Sequence, residues 1–220
     1  MNRKTGLLCI ILGICLVLTA AGWTGYNLWD AQRAQVQMTV SREILTGEMP
    51  EPVSPPEQLT WENVLSLPAE DIRLENVELP YYIVNPDVEM LEVEVDGRDY
   101  IGMLEIPALE LEIPILSQWS LEGAKVAPCR YFGSAYQHNM VIAGHNYPAH
   151  FGRLSELGIG EQLSFTDMEG NRFCYEVISM EILQPDQIED MCTGQWDMTL
   201  FTCTVGGQSR VTLRCKWIEA

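Results

Sequence analysis

TLFTC, residues 199–203, is the stretch from which the rest of this 220-residue chain is read. Met198 to Thr202 is β-prone, and beyond a short segment carrying Gly206 and Gly207 the run Val211 to Ile218 alternates strictly. Val211, Leu213, Cys215 and Trp217 share one face, and Thr212, Arg214 and Lys216 the other. Two such runs joined by a glycine-bearing loop predict antiparallel neighbours with Cys203 and Arg210 opposed at the loop end, about 5 Å apart. Arg214 keeps the facing of Arg210 but lies about 13 Å further along at strand rise, so one sulfur cannot use both. Arg210 is the better candidate, and Arg214→Ala is expected to be the milder substitution. A third piece, VIAGHN at residues 141–146, reads as an apolar strand ending in His145.

A thiol, an imidazole and a guanidinium at strand ends make a coherent set. A cysteine near its reference pKa of about 8.5 is mostly protonated at neutral pH, whereas the thiolate is the nucleophile. His145 can take the thiol proton and return it to a leaving amine. Arg210, charged at any relevant pH and able to donate in a fork, can stabilise the oxygen anion formed when a carbonyl is attacked. Alone, a strand-end cysteine is more often a small buried hydrophobe. The joint occurrence with His145 and Arg210 favours catalysis. Adding His138 and His150 gives no zinc spacing, so no metal is expected from the histidines.

TLFTC with Arg210, VIAGHN with His145, and GMLEIPALELEIPIL at residues 102–116 together resemble the sortases, the cysteine transpeptidases of Gram-positive cell surfaces. The resemblance runs from about Tyr100 to Ala220. It implies a closed eight-stranded β-barrel with short helices, Cys203 as nucleophile, His145 as general acid/base and Arg210 as oxyanion stabiliser. It also implies cleavage of an LPxTG-like sorting signal through a thioester and transfer to an amine of peptidoglycan precursor or another surface protein. The loop Gln184 to Asp197 corresponds to the one that grips the Leu-Pro part of the signal, which nominates Thr202, Ile182, Pro185, Ile188 and Trp196 for substrate binding. Asn85-Pro86-Asp87 stands where the pilin-polymerising class carries an Asp-Pro-aromatic lid motif, and the aromatic is missing. Attachment to the wall fits better than pilus building.

Charge separates the chain into regions. The net charge is −18, from 31 acidic and 13 basic residues, which argues against a nucleic-acid partner. Glu43 to Asp99 holds fifteen acidic residues and two arginines. At the N-terminus, Arg3 and Lys4 precede the uncharged run Leu7 to Trp23, with Tyr26 and Trp29 at its far edge. That pattern predicts an uncleaved single-pass anchor with a cytoplasmic N-terminus and everything later outside the cell membrane. Residues 1–29 are thus assigned to the cytoplasmic tip and anchor, 30–90 to an acidic, proline-containing linker, and 91–220 to the catalytic domain.

Within the linker, Val36, Val40 and Ile44 at four-residue spacing suggest that the helix continues to Gly47. Met49 to Pro56, with four prolines, reads as an extended spacer, and Trp61 to Leu65 as a short helix. In the domain, strands are predicted at Leu91 to Val95, Tyr100 to Ile106, Leu111 to Leu116, Met140 to Ala143, Gln162 to Thr166, Phe173 to Ile182, Met198 to Thr202 and Val211 to Ile218. Ser155 to Leu157 is expected to form one helical turn. Many short strands and few helical patterns mean an all-β sandwich or barrel, and the resemblance selects the barrel.

No cofactor is expected, with one metal reading left open: calcium at Asp186, Glu189 and Asp190. Of seven cysteines, Cys9 and Cys15 lie in the anchor and Cys215 in the core. One disulfide among Cys129, Cys174 and Cys192 is left open. Two other functions fit the anchor and β-domain, a non-catalytic wall-binding or adhesin-like module and a membrane-tethered thiol oxidoreductase. The second lacks any Cys-x-x-Cys pair and gives Arg210 no task.

Overall fold

The computed structural model describes residues 3–52 and 80–218. The predicted helix at Trp61 to Leu65 and most of the proline spacer lie outside these residues. Nine strands form one sheet: β1 (Val93–Val95), β2 (Arg98–Ile106), β3 (Leu111–Leu116), β4 (Cys129–Phe132), β5 (Met140–Gly144), β6 (Gln162–Asp167), β7 (Arg172–Leu183), β8 (Met198–Cys203) and β9 (Arg210–Ile218). Their order is β1-β2-β3-β4-β5-β8-β9-β7-β6, and β6 pairs back onto β2 through Gly102↔Asp167 to Glu105↔Ser164. Strands β2 to β9 therefore close into an eight-stranded barrel, which removes the free edges an open sheet would present. β1 stands outside the ring as a hairpin on β2, turned by Asp96 and Gly97 at φ 51° and 72°.

Alternation explains which residues fill the barrel. Val177, Leu200, Leu213 and Cys215 are wholly buried in the main cluster, together with Leu104 and Ile106 of β2 and Ile113 and Ile115 of β3. The outer face carries two smaller clusters. One, under the N-terminal helix, joins Leu45 to Val95, Tyr100, Met103, Leu116 and Cys129. The other joins Val141, Ala143, Phe201 and Met191, with Tyr131, Leu183 and Cys192 against it.

Two assignments change. Helix α1 (Arg3–Glu48) runs without a break from the apolar run to Glu48, the continuation that the spacing of Val36, Val40 and Ile44 suggested. Its most apolar stretch has a mean hydropathy of 2.4, and it is long and apolar enough to cross a membrane. Beyond Trp29 it docks on the barrel rather than spacing it away. The docking face is Ala34, Met38, Ser41 and Leu45, all buried, whereas Val36, Val40 and Ile44 are exposed. Tyr100 donates to Ser41 Oγ at 3.0 Å, and Arg42 pairs with Glu112 at 3.4 Å. A small residue and a polar one lie at the contact, so hydrophobicity alone points to the wrong side of the helix.

The far end of the assigned linker is also built into the domain. Helix α2 (Tyr81–Val84) buries Tyr82, which stacks on Tyr136 with ring centres 4.6 Å apart. Asp87 accepts from Gln137 Nε2 at 2.9 Å. Gln137 precedes β5 and His145 follows it, so Asn85-Pro86-Asp87 is held at the opposite end of that strand from the candidate site. The strand at Cys129–Phe132 is an addition to the predicted set, and the predicted helical turn appears as a 3-10 turn at Leu154–Glu156.

Candidate active site

Three neighbouring strands deliver the three residues. β5 and β8 are parallel, and their last pair is Gly144↔Thr202, so His145 and Cys203 are the next residues at the same end. β9 returns antiparallel to β8 with Cys203↔Arg210 as the final pair. Thr204 N donates to Ser209 O at 2.9 Å just beyond it. Cys203 and Arg210 therefore form the adjoining non-hydrogen-bonded pair, the kind whose Cα atoms lie about 4.5 Å apart with side chains close. The connection turns through Gly206 and Gly207 at φ 89° and 74°, a region that L side chains rarely adopt.

All three side chains belong to the outer face of the barrel. Ala143 pairs with Phe201, and both lie in the outer cluster, so alternation carries His145 and Cys203 to that same face. Cys203 and Arg210 are half-buried. Arg210 Nη1 donates to Gly207 O and Ser209 O, each at 3.1 Å.

His145 is placed by close packing. A Cβ on Gly144 would stand 2.6 Å from the ring of Phe151, which is fully buried, so only glycine allows this approach. Phe151 N donates to His145 O at 3.1 Å. Burial lowers the His145 pKa below its ordinary value, Asp30 opposes the shift and Lys125 reinforces it. A lowered imidazole is neutral at pH 7 and free to accept a proton. The ring of Tyr147 lies tilted beside it at 5.1 Å, and that of His150 sits 5.3 Å beyond Tyr147. His150 is 0% exposed. Its pKa is pushed down to about 4, chiefly by burial and then by His145, against a smaller opposing effect of the Val126 backbone.

The substrate-binding candidates divide. Thr202 and Ile182 both pair with Val211, on the face opposite Cys203. A bulge between Val177 and Ser179 shifts β7 by one residue, so Leu183 rather than Ile182 pairs with Arg210 and joins the outer cluster. Ile182 is 58% exposed on the other side. Pro185 is exposed, and Ile188 is 49% exposed on helix α3 (Ile188–Cys192). Trp196 is half-buried with its ring 5.7 Å from the Arg214 guanidinium.

Arg214 is a buried clamp, 2% exposed. It donates to the carbonyls of Asp190 at 2.6 Å and Met191 at 3.0 Å, and to Thr199 Oγ1 at 3.1 Å. It also pairs with Glu181 at 3.2 Å. The loop is thereby fixed to β9 with Met191 turned inward over Phe201. Among the described residues, no three His, Cys, Asp or Glu side chains cluster as a candidate metal site. Cys129, Cys174 and Cys192 are unpaired.

Sequence reasoning missed Phe201, Leu183, Met191 and Tyr131 as the apolar floor beside Cys203. Tyr131 packs edge-on to Phe201 at 5.4 Å and Trp119 to Tyr131 at 5.9 Å. Phe201 lies inside TLFTC, and its alternation with Cys203 was the available signal.

The sequence pattern of the sortase domain matches residues 104–217. A sortase A of Bacillus anthracis is 30% identical over 133 residues, covering 55% of this chain and 60% of that relative, so the chain spans less than two thirds of the relative's length. Sortase C1 of GBS pilus island 1 has a TM-score of 0.50 at 25% identity, over 58% of this chain and 68% of that one. Sortase C1 from Streptococcus agalactiae shares the fold with a TM-score of 0.51 at 21% identity, over 58% of this chain and 72% of that one.

Proposed function

The chain belongs to the sortase family, and from that premise we propose that it is a membrane-anchored cysteine transpeptidase. It acts on surface proteins bearing an LPxTG-like sorting signal. The observation that carries this reading is the convergence of Cys203, His145 and Arg210 at one end of three adjacent strands on a single face.

His145 accepts the Cys203 proton as the sulfur attacks the carbonyl carbon of the signal's Thr-Gly bond. Negative charge moves to the carbonyl oxygen, where the Arg210 guanidinium is its counterpart. Among the described residues only Nη1 of Arg210 is engaged, which leaves Nε and Nη2 for that oxygen. Collapse expels the glycine amine, protonated by His145, and leaves a thioester. An incoming amine of peptidoglycan precursor or a surface protein attacks the thioester, its proton passes to His145, and the thiol is released. The apolar floor of Phe201, Leu183 and Met191 fits the Leu-Pro side of the signal and disfavours water. The N-terminus faces the cytoplasm and the barrel lies outside the cell.

Purified full-length protein in nanodiscs, given an LPxTG-type peptide and an amine, should yield the ligated product by mass spectrometry. Undiminished processing by Cys203→Ala would overturn the reading. A membrane-impermeant maleimide should label Cys203 in intact cells, and protection there would reverse the assigned orientation.

A further inference from the structure

The anchor helix touches the histidine loop. Asp30 is the first half-buried residue of α1 after the exposed apolar run that ends at Trp29. Tyr147 Oη donates to Asp30 Oδ2 at 2.5 Å, across 117 residues of sequence. At its other end Tyr147 is fixed by its carbonyl, which accepts from His150 N and Gly152 N at 2.9 Å each. Its ring is therefore held at both the backbone and the phenol, and it is this ring that lies against His145.

From this geometry we infer that Asp30 is a positioning residue of the active site: through Tyr147 it fixes the His145 imidazole, and its carboxylate is the anionic group that α1 presents to that ring. The groups that act on or lie against His145 are Asp30 from α1, Lys125 from the 3-10 turn Gly123–Lys125, and Tyr147 and His150 from its own loop, while Cys203 and Arg210 stand at the ends of the neighbouring strands β8 and β9. Among the described residues Asp30 is the one carboxylate acting on His145, and it favours the imidazolium against the effects of burial and Lys125. A carboxylate left half-buried at this point without a donor would be costly, and Tyr147 supplies the donor. Residue order alone conceals the contact, because Asp30 reads as the first charged residue after a membrane span.

The kinetic arm of the test rests on the transpeptidase reading, and the titration arm does not. Full-length protein in nanodiscs, labelled with ¹⁵N-histidine, would be titrated by NMR, with the His145 signal assigned by His145→Gln. Asp30→Asn keeps the shape and an acceptor oxygen but removes the charge, and should lower the His145 midpoint measurably. Tyr147→Phe keeps the ring and the Asp30 charge. It should lower kcat several-fold at unchanged KM, with a much smaller change in midpoint. An unmoved or raised midpoint in Asp30→Asn overturns the inference, as does wild-type kcat in Tyr147→Phe. A shifted midpoint in a protein that ligates no peptide would support the contact and sink the proposed function instead.

Discussion

Cys203 and Arg210 are the last facing pair of the β8–β9 ladder, yet the Arg210 guanidinium is turned onto its own loop, bonded to Gly207 and Ser209 carbonyls. Arg210→Ala should lower kcat by about 10²- to 10³-fold, the range for removing one oxyanion donor, while the melting temperature stays near that of the parent. Arg210→Lys should recover little, because an ammonium lacks the planar fork. Wild-type turnover in Arg210→Ala would remove the arginine from the mechanism.

Arg214→Ala should remain the milder change for turnover, but not for stability. Its loss leaves the Asp190 and Met191 carbonyls and the Thr199 hydroxyl without their donor, at about 1–3 kcal/mol each where buried. Glu181 stays partly in water and adds little. Chemical denaturation should show a loss of about 3 kcal/mol or more. The two arginines are then told apart by which quantity falls: turnover for Arg210, stability for Arg214. Unchanged stability in Arg214→Ala would refute the clamp.

His150 gives the fold an acid limit. Its pKa is about 4 in the folded chain against 6.5 as a reference. Between those values the unfolded chain binds the extra proton, so stability is full above about pH 6.5 and falls as pH drops toward 4. The gap corresponds to about 3 kcal/mol. Denaturation midpoints measured across this window should fall less steeply with acidification in His150→Gln than in the parent. Parallel slopes would mean that His150 is not buried as a neutral ring.

Gly144→Ala should damage the site through the core. The new methyl meets Phe151, whose buried ring has little room to retreat, at a cost of about 1–3 kcal/mol for overpacking. His145 is the next residue and should move with it, reducing turnover. Adding Phe151→Leu should recover part of both losses, and strict additivity in that double-mutant cycle would contradict the packing account.

The all-β class and the three strand-end residues were legible because each leaves a local mark, whereas closure into a barrel was implied only by the resemblance. β9 carries clean alternation, β8 is β-prone, and Gly206-Gly207 announces the turn that sets Cys203 opposite Arg210. Other features leave no such mark. β4 is four residues long and bulged between Arg130 and Phe132, so no period of two develops. The β7 bulge reverses the facing of Ile182 and Leu183, and nothing in the residues around Ile178 signals it. On α1, Ala34 and Ser41 form half of the buried face while three aliphatic residues point outward. The partner surface, not residue type, decides that helix's orientation.

Because α1 passes from its apolar stretch onto β1 and β3 without a hinge, the barrel is mounted on a stiff stalk rather than hung from a string. Its 46 helical residues span about 69 Å, and the Asp30–Tyr147 bond ties the histidine loop to the point where the apolar part stops. In the proposed orientation the sulfur works at one fixed altitude just above the lipid headgroups. Under the proposed function, clients would then be sorted partly by how far their scissile bond rises from the bilayer, a geometric filter independent of the motif they carry.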